Sequence, residues 1–200
     1  YTAKLSAASG GYGVITNVYA LTAFMLVLLT YGMETGFFRF ANKQDENPTR
    51  VYSTILISVF TTSLLFFLLV YSNLDSVATF LGYADHPEYI ACMTTIVAFD
   101  AVQSIMFAHL RQQGHAIKFV TLKMAFILSN IILNLFIFLA APLLYTSHPE
   151  WMGWYDPQYG VGYIFIINLI CTVSVTFGVI PELKGLADGF DSQLARRMLR

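Results

Sequence analysis

Apolar runs of about twenty residues or more recur along this chain, and no other feature constrains its fold as tightly. They lie at about Val14–Gly36, Val51–Tyr71, Tyr89–Leu110, Phe119–Tyr145 and Val161–Ile180. A helix rising 1.5 Å per residue needs about 20 such residues to cross a hydrocarbon core of roughly 30 Å, whereas soluble core helices run to ~10–14. Composition agrees: 56% of residues are hydrophobic and 12% charged, with a mean hydropathy of +0.62. That charged fraction is about half the usual value for a soluble domain. Because lipid satisfies no backbone N–H or C=O, each run must close its own hydrogen bonds as a helix. The expectation is an all-α, polytopic transmembrane helical bundle of about five spans. Residues 1–200 then form a single transmembrane lobe, with 181–200 a cytoplasmic amphipathic segment leading to a further span.

The net charge of -1 conceals a segregation by loop. Arg39, Lys43 and Arg50 share one loop, Arg111, Lys118 and Lys123 another, and Lys184, Arg196, Arg197 and Arg200 the tail. The intervening stretches Ser72–Glu88 and Thr146–Gly160 carry no Lys or Arg, and Lys4 alone breaks the alternation. The positive-inside rule therefore sets the basic loops in the cytoplasm and residue 1 on the outside. A span before Tyr1 is required if the protein starts in the cytoplasm, and the absence of an initiator Met fits an internal fragment of a longer protein. The lobe is then expected to be a six-helix one that lacks most of its first helix. Trp151, Trp154, Tyr155 and Tyr159 belong to an aromatic membrane–water belt.

Several local patterns have ordinary readings. Gly32-Met-Glu-Thr-Gly36 has the spacing that lets a neighbouring helix approach closely. Thr54, Ser58 and Thr61 share a face, and hydroxyls in a span bond to their own backbone. Phe37–Arg50 and Ser72–Tyr89 read as a polar turn and a loop. Asp85-His86-Pro87-Glu88 reads as a helix start capped by Asp85, and Ser147-His148-Pro149-Glu150 repeats it, so neither His-Pro-Glu triplet indicates metal. Cys92 and Cys171 sit inside apolar runs as small hydrophobes, with neither disulfide nor metal spacing. No basic patch suits nucleic acid. There is no HExxH, no GxSxG and no P-loop, so an enzyme is not expected, and no cofactor is implied.

Chemistry concentrates between Phe99 and Lys123. On a helix Asp100, Gln103, Phe107 and Arg111 fall at steps of three and four. Lipid cannot satisfy a carboxylate or an amide, so this face should look into the bundle or a wet cavity. Lys123, Asn130 and Asn134 form a polar seam in the fourth span, and Asn168, Thr172 and Thr176 a stripe in the fifth.

The stretches YGMETGFFRF and FDAVQSIMFAHLRQQGHAIKFVTLK resemble polysaccharide biosynthesis membrane proteins. These are the O-antigen and capsule flippases of the multidrug/oligosaccharidyl-lipid/polysaccharide exporter superfamily, their Bacteroidetes-type members in particular. The resemblance covers nearly the whole chain. It implies a bacterial cytoplasmic membrane, with residue 1 periplasmic, and a second, C-terminal lobe facing this one across a cavity. It also implies cargo: a lipid-linked oligosaccharide, a polyprenyl diphosphate sugar, flipped between leaflets while its tail stays in the bilayer.

Under that resemblance a diphosphate-sugar needs donors and positive charge. Arg39, Arg111 and Lys123 are the candidate cations, and Asn17, Gln103, Asn130, Asn134 and Asn168 the candidate sugar contacts. Asp100 and Glu34 are either ion-coupling carboxylates that drive alternating access or structural acids paired with Arg39, Arg111 or a neighbouring helix. Competing functions are a cation-coupled multidrug or small-molecule exporter, an intramembrane enzyme of lipid-linked sugar metabolism, and a scaffold without cargo. A large anionic head group calls for several cations in the cavity, and drug export for an acidic, aromatic one.

Overall fold

A computed structural model describes residues 11–43, 46–147, 149–151, 153–157 and 159–198. The described residues form an all-α bundle without strands. The long helices are α1 (Gly11–Thr30), α3 (Pro48–Ser72), α5 (Pro87–Gln112), α6 (Ala116–Leu135) and α8 (Val161–Val179). Shorter ones are α2 (Met33–Ala41), α4 (Leu74–Phe80), α7 (Ala141–Ser147) and α9 (Ser192–Met198). Among the described residues, five helical stretches are long and apolar enough to cross a membrane, so the chain is a multi-pass membrane protein.

Helix α5 is the hub, packed against α1, α3 and α8, with α2 and α4 at its two ends. Its Ile90, Val97, Ala101, Ile105 and Leu110 are wholly buried. Helix α6 packs on α8 and turns Leu128, Ile132 and Leu135 outward. Lipid tails are as apolar as those side chains, so close packing and interhelical hydrogen bonds, not burial from water, hold such a bundle together.

Several expected boundaries move, each for a local reason. Gly32 makes no close approach; a Cβ there would meet nothing within 4 Å. Instead Tyr31 (φ 32°) and Gly32 (φ 73°) both enter the left-handed region and break the first span into α1 and α2. Residues 37–41 are helix rather than turn, because Phe37 is fully buried against Tyr52 and Phe38. Pro48 opens α3 at its first position, with the Asn47 side chain accepting the Thr49 N–H at 3.0 Å. The expected loop before Tyr89 contains α4. The cap of α5 is His86, not Asp85, and it makes no side-chain capping bond; its Nδ1 pairs with Glu88 instead, at 2.9 Å. His148 lies outside the described residues, and Pro149–Trp151 beyond it form only a short 3₁₀ turn. The fourth span passes through a π segment, Phe136–Ala140, before α7. Pro142 has no N–H to give the Phe138 carbonyl, and widening the turn accommodates that loss.

After α8 a nine-residue 3₁₀ helix, Ile180–Asp188, and α9 fold back over the start of α3. Tyr52 Oη donates to the Glu182 carbonyl at 3.1 Å, Ser53 Oγ to the Gly189 carbonyl at 2.6 Å, and the Asp191 N–H to Thr54 Oγ1 at 3.2 Å. Ion pairs Lys118–Glu182 (2.7 Å), Arg50–Asp191 (3.6 Å) and Arg197–Glu46 reinforce that end. The opposite end is aromatic: Tyr89, Tyr159 and Tyr163 meet edge-on, and Tyr155 stacks on Tyr163. Burial first, then the Glu88 charge, push the Tyr159 phenol up to about 12, so it serves there as a neutral group.

Candidate functional site

Two openings flank α5. On one side a cavity of about 530 Å³ lies between α3 and α5, walled by Leu56, Phe60, Phe67, Phe99, Val102 and Met106, with Leu183 and Leu186 also in its lining. Its polar residues are turned elsewhere or lack a partner. Gln103 Nε2 donates to the Thr172 carbonyl (3.0 Å) and to Thr176 Oγ1 (2.8 Å), tying α5 to α8. Ser63 Oγ is buried without a hydrogen bond.

On the other side a cleft of about 440 Å³ has α1 and α6 as its walls and α5 and α8 as its floor. Tyr19, Thr22, Asp100, Asn130 and Asn168 line it, with Leu26, Ile96, Phe126 and Ile127 between them. Asp100 is midway along α5, hence at mid-membrane depth, where a carboxylate is costly and marks a functional position by default. Among the described residues no basic side chain forms an ion pair with it. Lys123 is within electrostatic reach, and the Thr172 hydroxyl faces the carboxylate without a well-formed bond.

The surrounding amides are held in place. Asn168 Nδ2 donates to Tyr19 Oη at 3.2 Å, joining α8 to α1 across the floor. Asn134 Nδ2 donates to both the carbonyl (2.7 Å) and Oδ1 (2.9 Å) of Asn130, which fixes the Asn130 carboxamide one turn along α6. An interhelical bond such as Asn168–Tyr19 stabilises a membrane bundle by about 0.6 kcal/mol, enough to orient a side chain and little more.

The sequence-predicted residues divide. Asp100, Asn130 and Asn168 meet in the cleft, with Asn134 behind Asn130. Lys123 stands two turns before Asn130 on α6, its Nζ 4.5 Å from the centre of the Phe107 ring. Gln103 faces α8. Asn17 is exposed on α1 and donates to Tyr83 Oη at 2.9 Å. Arg39 lies over its neighbour Phe40, 5.8 Å from the ring centre. Arg111 and Glu34 pair at 2.5 Å, the guanidinium between the Phe38 and Phe119 rings. For Glu34 this geometry is that of the structural alternative. Cys92 and Cys171 are free thiols.

Thr22, which supplies a hydroxyl to the cleft, is not among the sequence-predicted residues, and neither are two aromatic contributors. Tyr19 and Phe126 line the cleft, and a tyrosine in mid-span is the one signal that points to the first. Elsewhere on α5, His109 stacks on Tyr52 with ring centroids 3.8 Å apart. Its Nε2 meets Gln113 Nε2 at 2.8 Å, and its Nδ1 is buried without a partner. Among the described residues, no group of three or more His, Cys, Asp or Glu side chains could hold a metal ion.

Chemically, the cleft offers one carboxylate, two carboxamides, a phenol and a hydroxyl within an apolar surround. Such a set binds polyols, amines and cations. No family model matches the chain, and no curated protein or solved structure matches it.

Proposed function

We propose that this chain is one lobe of a membrane transporter that moves lipid-linked oligosaccharide precursors across a bacterial cytoplasmic membrane by alternating access coupled to an ion gradient. The observation that carries the reading is the mid-membrane cleft with Asp100, Asn130, Asn168 and Tyr19. Polar groups at that depth are expensive unless they meet water or cargo. Carboxamides and a phenol are suited to sugar hydroxyls, and Lys123 beside the cleft is suited to a phosphate. Asp100, without an ion-pair partner among the described residues, is the coupling carboxylate of this reading. The cleft's open side is where the C-terminal lobe of the full-length protein would face it.

A second reading, a cation-coupled multidrug exporter of the same superfamily, is favoured by a specific feature. The charged residue that lines the cleft is an acid, flanked by Tyr19 and Phe126, while Arg39 and Arg111 lie elsewhere.

Rescue of a strain blocked in surface-polysaccharide export separates the two. The full-length protein is expected to restore surface polysaccharide, and Asp100→Asn at matched membrane levels is not. Failure to restore it, together with lowered sensitivity to cationic drugs, replaces the first reading with the second.

A further inference from the structure

The charges around the cleft are unusual in that two of opposite sign stay apart. Three basic side chains at that end are paired with acids, Arg111 with Glu34, Lys118 with Glu182 and Arg50 with Asp191, while Arg39 and Lys43 lie over the Phe40 ring. Lys123 is exposed, and its ammonium rests over the Phe107 ring with no carboxylate in ion-pair contact among the described residues. Asp100, two turns before Phe107 on the facing helix, likewise lacks an ion-pair partner among the described residues.

We infer that the cleft takes a dipolar head group, with an ammonium at Asp100 and a phosphate at Lys123. This rests on the transport reading above and narrows its substrate class. A purely anionic group drawn to Lys123 also meets the field of Asp100, because partly buried charges are screened less than fully exposed ones. A purely cationic group at Asp100 meets the field of Lys123 in the same way. A ligand carrying both charges satisfies both side chains, and the like-charge contacts exclude the single-charge alternatives. Beside Asp100 in the cleft, Asn130, Asn168 and the Tyr19 phenol offer contacts to neutral hydroxyls. An oligosaccharide phosphate bearing a free amino group has this chemistry.

The test uses the intact protein in lipid nanodiscs, with binding measured calorimetrically for three probes. Glucosamine 1-phosphate carries both charges, glucose 1-phosphate the negative alone and glucosamine the positive alone. The dipolar probe is expected to bind at least about tenfold more tightly than either, the effect of one charge-assisted hydrogen bond. Asp100→Asn should abolish its advantage over glucose 1-phosphate, and Lys123→Gln its advantage over glucosamine. Asp100→Glu, which keeps the carboxylate, should retain the preference, and an unchanged thermal midpoint shows that each variant is folded. Equal binding of glucose 1-phosphate, absent binding of glucosamine 1-phosphate, or a preference that both variants leave intact overturns the inference. Vesicle flux distinguishes its failure from that of the transport reading. Selective binding without translocation leaves the dipolar site standing and removes transport, whereas translocation of cargo without charge preference removes the dipolar site alone.

Discussion

The two sides of α5 make an instructive pair. They are openings of similar size on one helix, about 530 Å³ toward α3 and about 440 Å³ toward α1 and α6. The first is walled by Leu, Phe, Val and Met, which lipid tails wet as readily as a neighbouring helix does. The second holds a carboxylate and two carboxamides, which lipid cannot satisfy. An apolar groove in a membrane protein therefore needs no function to explain it, and a polar cleft at the same depth does. The polar residues on the apolar side obey the same rule: Gln103 is consumed by α8, and Ser63 is left unbonded.

The largest expected difference between the two sides is in transport. Asp100→Asn should reduce export by at least about tenfold, as loss of a functional intramembrane acid does, while Ser63→Ala on the far side leaves export unchanged. Equal loss in both would erase the distinction. Next is stability. Gln103→Leu breaks the α5–α8 tie and should lower unfolding free energy by about 1 kcal/mol in detergent. An unchanged midpoint would mean the tie contributes nothing. Ser63→Ala should go the other way, leaving stability equal or raising it by up to about 1 kcal/mol, because an unpartnered buried hydroxyl is removed.

Smaller effects belong to the polar end. Arg111→Gln breaks the pair with Glu34, whose partners are 37% and 43% exposed, so the loss should stay under about 1 kcal/mol and shrink further in high salt. The Leu194 N–H, then that of Gln193 and the Arg50 charge, hold the Asp191 carboxyl below the usual carboxylate range. A lowered folded value means that its contribution is complete above the unfolded value and fades as pH falls through the folded one. Protease cleavage within 180–198 should accordingly be faster in Asp191→Asn than in the parent at neutral pH, with the difference vanishing in strong acid. A difference that persists there would assign the effect to something other than the charge.

Much of the fold can be read in the sequence, since length and apolarity alone dictate the spans and alternating basic loops order them. Their ends are less legible, because Asn47 with Pro48 and the Tyr31–Gly32 break are local devices that hydropathy does not register. The cleft is half legible. Asp100 and Gln103 share a stripe by spacing, yet three residues turn a helix by about 300°, leaving them about 60° apart. That angle sends one into the polar cleft and the other toward α8, and only the packing of α5 decides which. The pairing of Glu34 with Arg111, 77 positions away, has no periodic signature at all.

Water access on the two sides of α5 tests the central claim most directly. Cys92 and Cys171 are first replaced by Ala, and single cysteines are then introduced as Asn168→Cys in the cleft and Leu64→Cys in the apolar groove. In native membranes a membrane-impermeant cationic thiol reagent should modify the first and spare the second, at matched expression. Labelling of Leu64→Cys with protection of Asn168→Cys would contradict the account, because the wet path would then lie on the apolar side.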